Sequence, residues 1–265
     1  MLFLAGQGVK RSGYSAQSLN IFVLRYCYGN LMQRKAIIIG ATGLVGQQLV
    51  KQLSVLYEKV IVIARQPPRY MNASMHYYQL NDFANLSEIF ANLDLDQRTD
   101  AFSCLGTTQK QAGSEEAFRL IDYQYNVDFA QLCFDKGVQQ FFLLSALGAE
   151  ADSRFFYNRV KAETEAAIQQ IGFAILNIFR PSLLLGKHKG RPLERISQGM
   201  FKLISPIVPE SSSIHPISAK RVAIAMAMSA HEHYQRAKFR TVPSSTPSVT
   251  IIENKQMLAM TRVKN

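Results

Sequence analysis

The stretch Ile37-Ile38-Ile39-Gly40-Ala41-Thr42-Gly43-Leu44-Val45-Gly46 decides the fold of this chain. An apolar run of strand length enters a glycine-rich turn, and helical periodicity then continues to Leu56. Gly40 permits a sharp turn, Gly43 lets a ligand approach the backbone, and Gly46 lets the helix pack closely on the strand. Turns alone would explain a glycine triplet, but a triplet between a strand and a helix is typical of a dinucleotide site. We therefore predict that Gly40, Ala41, Thr42, Gly43, Leu44, Val45 and Gly46 hold the pyrophosphate of a cofactor.

The rest of the chain alternates strand and helix patterns, which predicts a doubly wound parallel α/β sheet of the Rossmann type. Ligands bind such sheets beyond the carboxyl ends of the strands. The rhythm breaks after Pro181, so we expect a small C-terminal substrate lobe from about residue 182. The predicted domains are an N-terminal extension, 1–33, and a cofactor-binding domain, 34–265. Strands are predicted at 36–40, 59–63, 75–80, 100–105, 140–145 and 173–179, and helices at 44–56, 86–93, 114–136, 154–171, 193–203 and 218–230.

Composition restricts the class of protein. The 265 residues are 48% hydrophobic and 18% charged, as in a globular domain. Three cysteines form no ligand or disulfide pattern, which favours a reducing compartment. The net charge is +11, of which residues 1–35 contribute five basic residues and no acidic ones. We expect no nucleic-acid partner, because the remaining excess is modest and no basic run is interleaved with aromatic residues.

The N-terminal segment determines the expected location. Its basic residues follow the apolar start Met1-Leu2-Phe3-Leu4, which is the reverse of a secretory signal. The absence of acidic residues is similar to an organelle transit peptide, but the segment has little amphipathic order. We therefore interpret it as a poorly ordered extension and predict a cytoplasmic protein without a membrane span.

Three residues near the carboxyl end of the fifth strand suggest the chemistry. Ser145 closes that strand, and Tyr157 and Lys161 lie one turn apart on the next predicted helix. An ammonium group beside a phenol favours its ionised form, so we expect Lys161 to lower the pKa of Tyr157. A tyrosine so placed can exchange a proton with a carbonyl or alcohol oxygen, to which Ser145 would hydrogen-bond. A Y-x-x-x-K pair also occurs by chance on helix faces, but its combination with the glycine turn and the serine is much rarer.

These residues resemble those of the short-chain dehydrogenase/reductase superfamily, in its extended or atypical branch. Within that branch the chain is most similar to the Tat-interacting-protein family of oxidoreductase-like proteins, over roughly residues 35–230. The shared motifs are Gly40-Ala41-Thr42-Gly43-Leu44-Val45-Gly46, Ser103-Cys104-Leu105-Gly106-Thr107-Thr108, Ala112-Gly113, Ser145-Ala146-Leu147-Gly148-Ala149, Tyr157-x-x-x-Lys161-x-Glu163, Phe179-Arg180-Pro181-Ser182-x-Leu184-Leu185 and Arg191-Pro192-x-Glu194.

The resemblance implies further cofactor contacts and one departure. It places Asp82 and Phe83 at the adenine, Leu105, Gly106 and Thr107 along the nicotinamide side, Lys161 on the ribose, and Pro181 beside the cofactor. Asp122 stands where many extended members carry a proton-relay asparagine, which puts the usual relay in doubt. A carboxylate there could instead cap or buttress the long helix.

The end of the second strand indicates which cofactor is preferred. Sites that prefer NAD present an acidic residue there to the ribose hydroxyls, whereas NADP sites present an arginine to the 2′-phosphate. Here Arg65 follows the strand, and no acidic residue occurs before Asp82. Arg69 either assists or is a solvated loop residue. We predict a preference for NADP(H) over NAD(H).

Other polar residues give weaker signals. The five histidines, His76, His188, His215, His231 and His233, have no ligand spacing, so we expect no metal site. The basic cluster Lys187-His188-Lys189-x-Arg191 is either a solvated loop or the rim of a site for an anionic substrate or protein partner.

We predict an NADP(H)-dependent oxidoreductase that acts on a carbonyl or alcohol substrate through Ser145, Tyr157 and Lys161. One alternative is a regulatory or protein-interaction protein that binds NADP(H) with little catalysis. An epimerase or dehydratase of nucleotide sugars is the third reading, but the chain is short for the substrate lobe of those enzymes.

Overall fold

The core of the molecule is a parallel sheet of seven strands, in the order β3-β2-β1-β4-β5-β6-β9. The computed structural model describes residues 32–186, 212–239 and 247–262. A separate parallel ladder joins β7 to β8. The strands are β1 Met32–Ile39, β2 Tyr57–Ala64, β3 Met75–Gln79, β4 Thr99–Ser103, β5 Gln140–Leu144, β6 Ile175–Arg180, β7 Leu184–Leu185, β8 Ile217–Ser218 and β9 Ser248–Glu253.

Helices cover both faces of the sheet, which explains the continuous apolar runs in the inner strands β1, β2 and β5. Alternate residues of β1 point to opposite faces, so Ile38 packs with α1, α7 and α8 while Ile37 and Ile39 pack with α2, α5 and α6. The helices are α1 Gly46–Leu56, α2 Leu86–Ala91, α3 Gln109–Ala112, α4 Glu115–Arg119, α5 Tyr125–Asp135, α6 Phe156–Ile171, α7 Ala219–Phe239 and α8 Asn254–Met260. A 3₁₀ turn, Phe83–Asn85, precedes α2.

The predicted fold class is confirmed. The six predicted strands are present with ends shifted by up to four residues, the largest shift being the start of β1 at Met32. Strand β1 therefore includes the last two residues of the predicted extension. Residues 1–31 and the predicted helix at 193–203 lie outside the described residues, so the extension and the substrate lobe remain predictions.

The structure differs from the sequence prediction in several elements. The helix predicted at 114–136 is divided into α4, a π-helical turn at Leu120–Gln124, and α5. Helix α7 extends nine residues beyond the predicted end at 230. A seventh strand, β9, extends the sheet beside β6. Its exposed edge position gives it a weaker apolar pattern than the inner strands.

The amino ends of the inner strands share a buried polar network, which we call the amino-edge network: Arg34, Tyr57 and Asp100. One oxygen of the Asp100 carboxylate lies 2.5 Å from Arg34 Nη2. The other oxygen accepts a hydrogen bond of 2.6 Å from the Tyr57 hydroxyl. Burial raises the pKa of Asp100 to about 6, against the opposing effects of Arg34 and Tyr57. The two carboxylate oxygens of Asp100 on β4 thus have one partner from β1 and one from β2.

Candidate active site

The glycine turn after β1 has a geometry that only glycine can adopt. Gly40 has φ +73°, and a Cβ atom there would lie 2.3 Å from the backbone carbon of Cys104. A Cβ atom on Gly46 would lie 2.1 Å from the Gly40 carbonyl oxygen. The turn is closed by a hydrogen bond of 3.0 Å from the Gly43 N–H to that same oxygen. The backbones of β1, β4 and α1 therefore approach one another as the sequence pattern predicts.

The N-terminus of α1 is suited to a phosphate group. No side chain caps its first turn, and that turn contains no acidic residue. The positive end of the helix dipole is thus available to an anion. Gly43, Leu44 and Val45 line a cleft beside this turn. The residues present fit the pyrophosphate of a nicotinamide dinucleotide.

The cleft has a volume of about 490 Å³ and lies at the carboxyl edge of the sheet. It brings together segments that are far apart in sequence, namely the ends of β1, β4, β5 and β6 and the start of α6. Ten of the predicted site residues line it: Gly43, Leu44, Val45, Leu105, Gly106, Thr107, Ser145, Tyr157, Lys161 and Pro181.

Tyr157 and Lys161 project from one face of α6 into the cleft. Lys161 Nζ lies 5.9 Å from the centroid of the Tyr157 ring. Tyr157 is half-buried, and Lys161 is buried with 6% of its surface exposed. The expectation that Lys161 lowers the pKa of Tyr157 is confirmed for the contribution of Lys161, but the net shift of the Tyr157 pKa is upward. Burial raises the pKa of Tyr157, and Asp122 adds to that effect, so the opposing influence of Lys161 is outweighed.

Asp122 is the carboxylate that changes this balance. It lies in the π turn, is fully buried, and places Oδ1 2.8 Å from Lys161 Nζ. Its Oδ2 accepts a hydrogen bond of 2.8 Å from the Thr107 N–H. Burial alone would lower the pKa of Lys161, but Asp122, Tyr157 and Glu165 together raise it. Asp122 therefore contacts the predicted catalytic lysine directly, in addition to its place in the helix.

Ser145 is held by a second buried carboxylate that the sequence analysis did not identify. The Ser145 hydroxyl donates a hydrogen bond to Glu165 Oε1. Arg180, at the end of β6, pairs with Glu165 Oε2 at 2.5 Å. Glu165 follows Tyr157 and Lys161 at the same four-residue spacing on α6, and this spacing was the available sequence signal.

The residues predicted to bind the adenosine part of the cofactor lie elsewhere on the carboxyl edge. Arg65 and Arg69 are exposed in the segment that follows β2. Asp82 accepts a hydrogen bond of 3.0 Å from the Ala84 N–H, and Phe83 stacks on Tyr125 with centroids 3.9 Å apart. None of these residues lines the described cleft, and neither do Gly40, Ala41, Thr42 and Gly46, which form the turn beneath it.

Other candidate features contribute little to this site. Within the described ranges, no group of three or more histidine, cysteine or acidic side chains could hold a metal ion. His188 and the rest of the predicted basic cluster, Lys187-His188-Lys189-x-Arg191, lie outside the described residues. Burial raises the pKa of Cys104 to about 12, which makes it an inert thiol. The helices in the described part of the chain include none long and apolar enough to cross a bilayer.

Comparison with known proteins supports the resemblance found in the sequence. Residues 36–200 match the NAD dependent epimerase/dehydratase family. Protein FMP52-1, mitochondrial, from Scheffersomyces stipitis is 31% identical over 76% of this chain and 90% of its own length. Protein HTATIP2 from Rattus norvegicus is 32% identical over 64% of this chain and 72% of its own length. The predicted resemblance to the Tat-interacting-protein family is thereby confirmed.

The fold has a counterpart among solved structures. A short chain dehydrogenase family protein from Francisella tularensis subsp. tularensis SCHU S4 superposes with a TM-score of 0.55. The match covers 84% of this chain and 98% of that chain at 12% sequence identity. This likeness concerns the fold alone.

The comparisons overturn the predicted cytoplasmic location. The FMP52 relatives from Scheffersomyces stipitis, Candida albicans and Debaryomyces hansenii are all named as mitochondrial proteins. The acid-free N-terminal segment was a signal in this direction, but its weak amphipathic order led to the opposite interpretation.

Proposed function

This chain belongs to the NAD dependent epimerase/dehydratase family, and from that membership we propose that it is an NADP(H)-dependent reductase of carbonyl compounds. The observation that carries the proposal is the cleft in which the glycine turn, the loop after β4 and the pair Tyr157 and Lys161 meet. A nicotinamide cofactor supplies hydride transfer when it is bound. We also propose a mitochondrial location, by analogy with the FMP52 relatives.

The residues of this chain then have distinct roles. The glycine turn and the first turn of α1 hold the pyrophosphate, and Leu105, Gly106 and Thr107 border the nicotinamide side. Lys161 binds the ribose hydroxyls, and Tyr157 gives its proton to the carbonyl oxygen of the substrate. Ser145 orients that oxygen. Its hydroxyl must rotate away from Glu165 to donate to a carbonyl, which needs only a rotation about one side-chain bond.

The preference for NADP(H) rests on the end of β2. Arg65 is exposed, and among the described residues its side chain forms no ion pair. Its planar guanidinium group is suited to bidentate contact with a 2′-phosphate. No acidic residue follows β2 before Asp82, so nothing in that segment selects for the free ribose hydroxyls of NAD.

The test of the proposal compares two variants of the paired residues. Tyr157→Phe removes one hydroxyl and should lower turnover roughly 10²–10⁴-fold while leaving NADPH affinity unchanged. Lys161→Ala should weaken both turnover and affinity, because the ammonium contacts the ribose. Turnover is measured as NADPH oxidation with a panel of aldehydes, ketones and quinones, and affinity by calorimetry. Full activity of Tyr157→Phe would exclude this mechanism.

A second candidate function is a regulatory protein that binds NADP(H) without turnover. One observation favours it, since Ser145 and Lys161 are each already engaged by a buried carboxylate. The same assay separates the two functions. A parent protein that binds NADPH tightly but oxidises it with no member of the panel supports the regulatory function.

A further inference from the structure

A fully buried carboxylate lies directly beneath the predicted catalytic pair. Asp122 and Lys161 have side-chain exposures of 0% and 7%, and their charged atoms are 2.8 Å apart. At this distance the two opposite charges largely compensate each other within the protein interior. The site therefore differs from one in which the lysine charge acts on the tyrosine alone.

Each element around Tyr157 contributes to the local charge. Helix α6 carries Lys161 and, one turn further on, Glu165. The π turn contributes Asp122, and β6 contributes Arg180, which is paired with Glu165. These two pairs comprise two cations and two anions. Helix α4, whose Phe118 packs on the Tyr157 ring, carries Arg119, and that cation is paired with the exposed Glu163 of α6. Burial raises the pKa of Tyr157, and Asp122 adds to this effect while Lys161 opposes it.

Several contacts hold Asp122 in this position. The π turn is tied to α6 by a hydrogen bond of 3.0 Å from Thr164 Oγ1 to the Asp122 carbonyl oxygen. Asn126 Nδ2 donates to the same carbonyl at 3.1 Å. A π turn inserts one residue into a helix and thereby reorients its side chains, and such turns are frequent at functional sites.

The loop after β4 leaves room for the ion pair. A Cβ atom at Gly106 would lie 3.1 Å from Asp122 Oδ1 and 3.5 Å from Lys161 Nζ. The neighbouring Thr107 N–H donates to Asp122 Oδ2 at 2.8 Å. Asp122 therefore connects Lys161 to the loop that is expected to border the cofactor.

We propose that Asp122 is a positioning residue that holds Lys161 as an ammonium group against this loop and keeps Tyr157 as a protonated phenol. The site then acts as a proton donor in carbonyl reduction, and alcohol oxidation requires alkaline conditions that remove the Tyr157 proton. This inference rests on the proposed reductase function.

Tyr157 supplies the proton of the reductive step. A reduced nicotinamide, when bound, would supply a hydride to the carbonyl carbon, and the electron pair of the carbonyl double bond would move to oxygen. That oxygen would take the proton of Tyr157, which would leave an alcohol and a phenolate. The phenolate regains a proton from water, with Lys161 beside it to stabilise the negative charge before the proton returns.

The test measures the ionisation of Tyr157 without cofactor or substrate. The absorbance of tyrosinate is titrated in the parent protein and in Tyr157→Phe, and the difference isolates Tyr157. Asp122→Asn keeps an acceptor for the Thr107 N–H but removes the negative charge. We expect the midpoint of Tyr157 to fall by about one pH unit, a tenfold change in the ionisation constant. Lys161→Met should move the midpoint in the opposite direction.

The matched control is Glu163→Gln, on the same helix as Lys161. Glu163 pairs with Arg119 on the surface, and its side chain is 41% exposed. We expect no shift of the Tyr157 midpoint in this variant. If Asp122→Asn does not fold, Gly106→Ala separates the same ion pair and should shift the midpoint in the same direction by a smaller amount. An unchanged midpoint in the folded Asp122 or Gly106 variant overturns the inference.

Turnover separates this inference from the proposed function. If the parent reduces carbonyl compounds and Asp122→Asn leaves the midpoint unchanged, the role of Asp122 is refuted and the reductase function stands. If the midpoint shifts as expected but the parent reduces no carbonyl compound, the charge effect of Asp122 stands. The reductase function then fails, and with it the inferred preference for carbonyl reduction over alcohol oxidation. In an active parent, Asp122→Asn should also move the pH profile of alcohol oxidation about one unit toward neutral pH.

Discussion

Each of the two edges of the central sheet contains a buried carboxylate that is paired with a cation, but the two pairs have different surroundings. At the amino edge, the carboxylate of Asp100 is buried between Arg34 and the hydroxyl of Tyr57. At the carboxyl edge, the carboxylate of Asp122 is buried between Lys161 and the Thr107 N–H. Both are ion pairs with almost no exposure, but only the second lines the cleft. A buried charge is therefore not by itself a sign of a catalytic residue.

The difference lies in what surrounds each pair. The amino-edge network joins β1, β2 and β4 within their first three residues. The side-chain amide oxygen of Gln140 on β5 lies 3.0 Å from Arg34 Nη1 when that amide is oriented to accept a hydrogen bond. The pair at the carboxyl edge is held by a π turn and a glycine loop, and a phenol lies next to it. We therefore expect substitutions at the amino edge to affect stability and substitutions at the carboxyl edge to affect the proposed chemistry.

The largest expected effect is on stability, and it comes from the amino edge. Arg34→Met keeps an apolar chain but leaves Asp100 buried without its cation, which should cost about 3–5 kcal/mol of unfolding free energy near pH 8. Arg34 lowers the pKa of Asp100, so its loss lifts a folded-state pKa that is already about 6. A raised folded-state value favours the protonated folded protein, so the cost should shrink at about pH 5. Urea denaturation at both pH values measures this difference.

Arg98→Met is the matched control for that variant. Arg98 forms an ion pair of 3.0 Å with Asp96 at the same edge, but its side chain is 68% exposed. We expect a loss of at most about 1 kcal/mol with little dependence on pH, because water screens the pair. The folded Arg34→Met protein should bind NADPH as the parent does. Weakened binding would show that the two edges are coupled.

The second effect distinguishes two glycines that both have positive φ. Gly40 and Gly113 have φ values of +73° and +87°, but a Cβ atom meets the Cys104 backbone at Gly40 and nothing within 4 Å at Gly113. Gly113→Ala should cost about 1–2 kcal/mol from backbone strain alone. Gly40→Ala adds overlap with rigid backbone and should cost about 2–4 kcal/mol. Equal losses of unfolding free energy in the two variants, measured by thermal and urea denaturation, would show that β1 and β4 can separate with little loss of stability.

NADPH affinity should separate the same two variants. Gly40→Ala moves the turn that holds the pyrophosphate, whereas Gly113 ends α3 away from it. We therefore expect calorimetry to show weaker NADPH binding for folded Gly40→Ala and unchanged binding for Gly113→Ala.

The sequence predicted the parts of the site that depend on local chemistry. The glycine spacing after β1 and the i, i+4 pair of Tyr157 and Lys161 follow from backbone sterics and helical geometry. Gly43, Tyr157 and Lys161 line the cleft that the structure describes, and Gly40 and Gly46 form the turn beneath it. The inner strands β1, β2 and β5 were recognisable because burial on both faces gives them continuous apolar runs.

The sequence could not predict features that depend on tertiary contacts. Residues 120–124 have the pattern of an ordinary helix, and nothing local indicates that Asp122 turns inward to meet Lys161. The net effect on the pKa of Tyr157 was missed for the same reason, because it depends on burial and on that carboxylate. Glu165 is a different case, since its spacing from Lys161 on α6 was visible and only its partners were not.

The smallest expected effect concerns cofactor choice at the end of β2. Arg65→Ala should weaken NADPH binding by about 1–3 kcal/mol, the range for lost hydrogen bonds between charged groups, and should leave NADH binding unchanged. Arg69→Ala is the matched control, because Arg69 is exposed in the same segment and should change neither affinity. Both arginines are exposed, so neither variant should alter the unfolding free energy by more than about 0.5 kcal/mol. Calorimetry with both cofactors measures the preference directly. A parent that binds NADH as tightly as NADPH would contradict the role of Arg65, whereas equal losses in the two variants would assign the 2′-phosphate to the whole segment and not to one side chain.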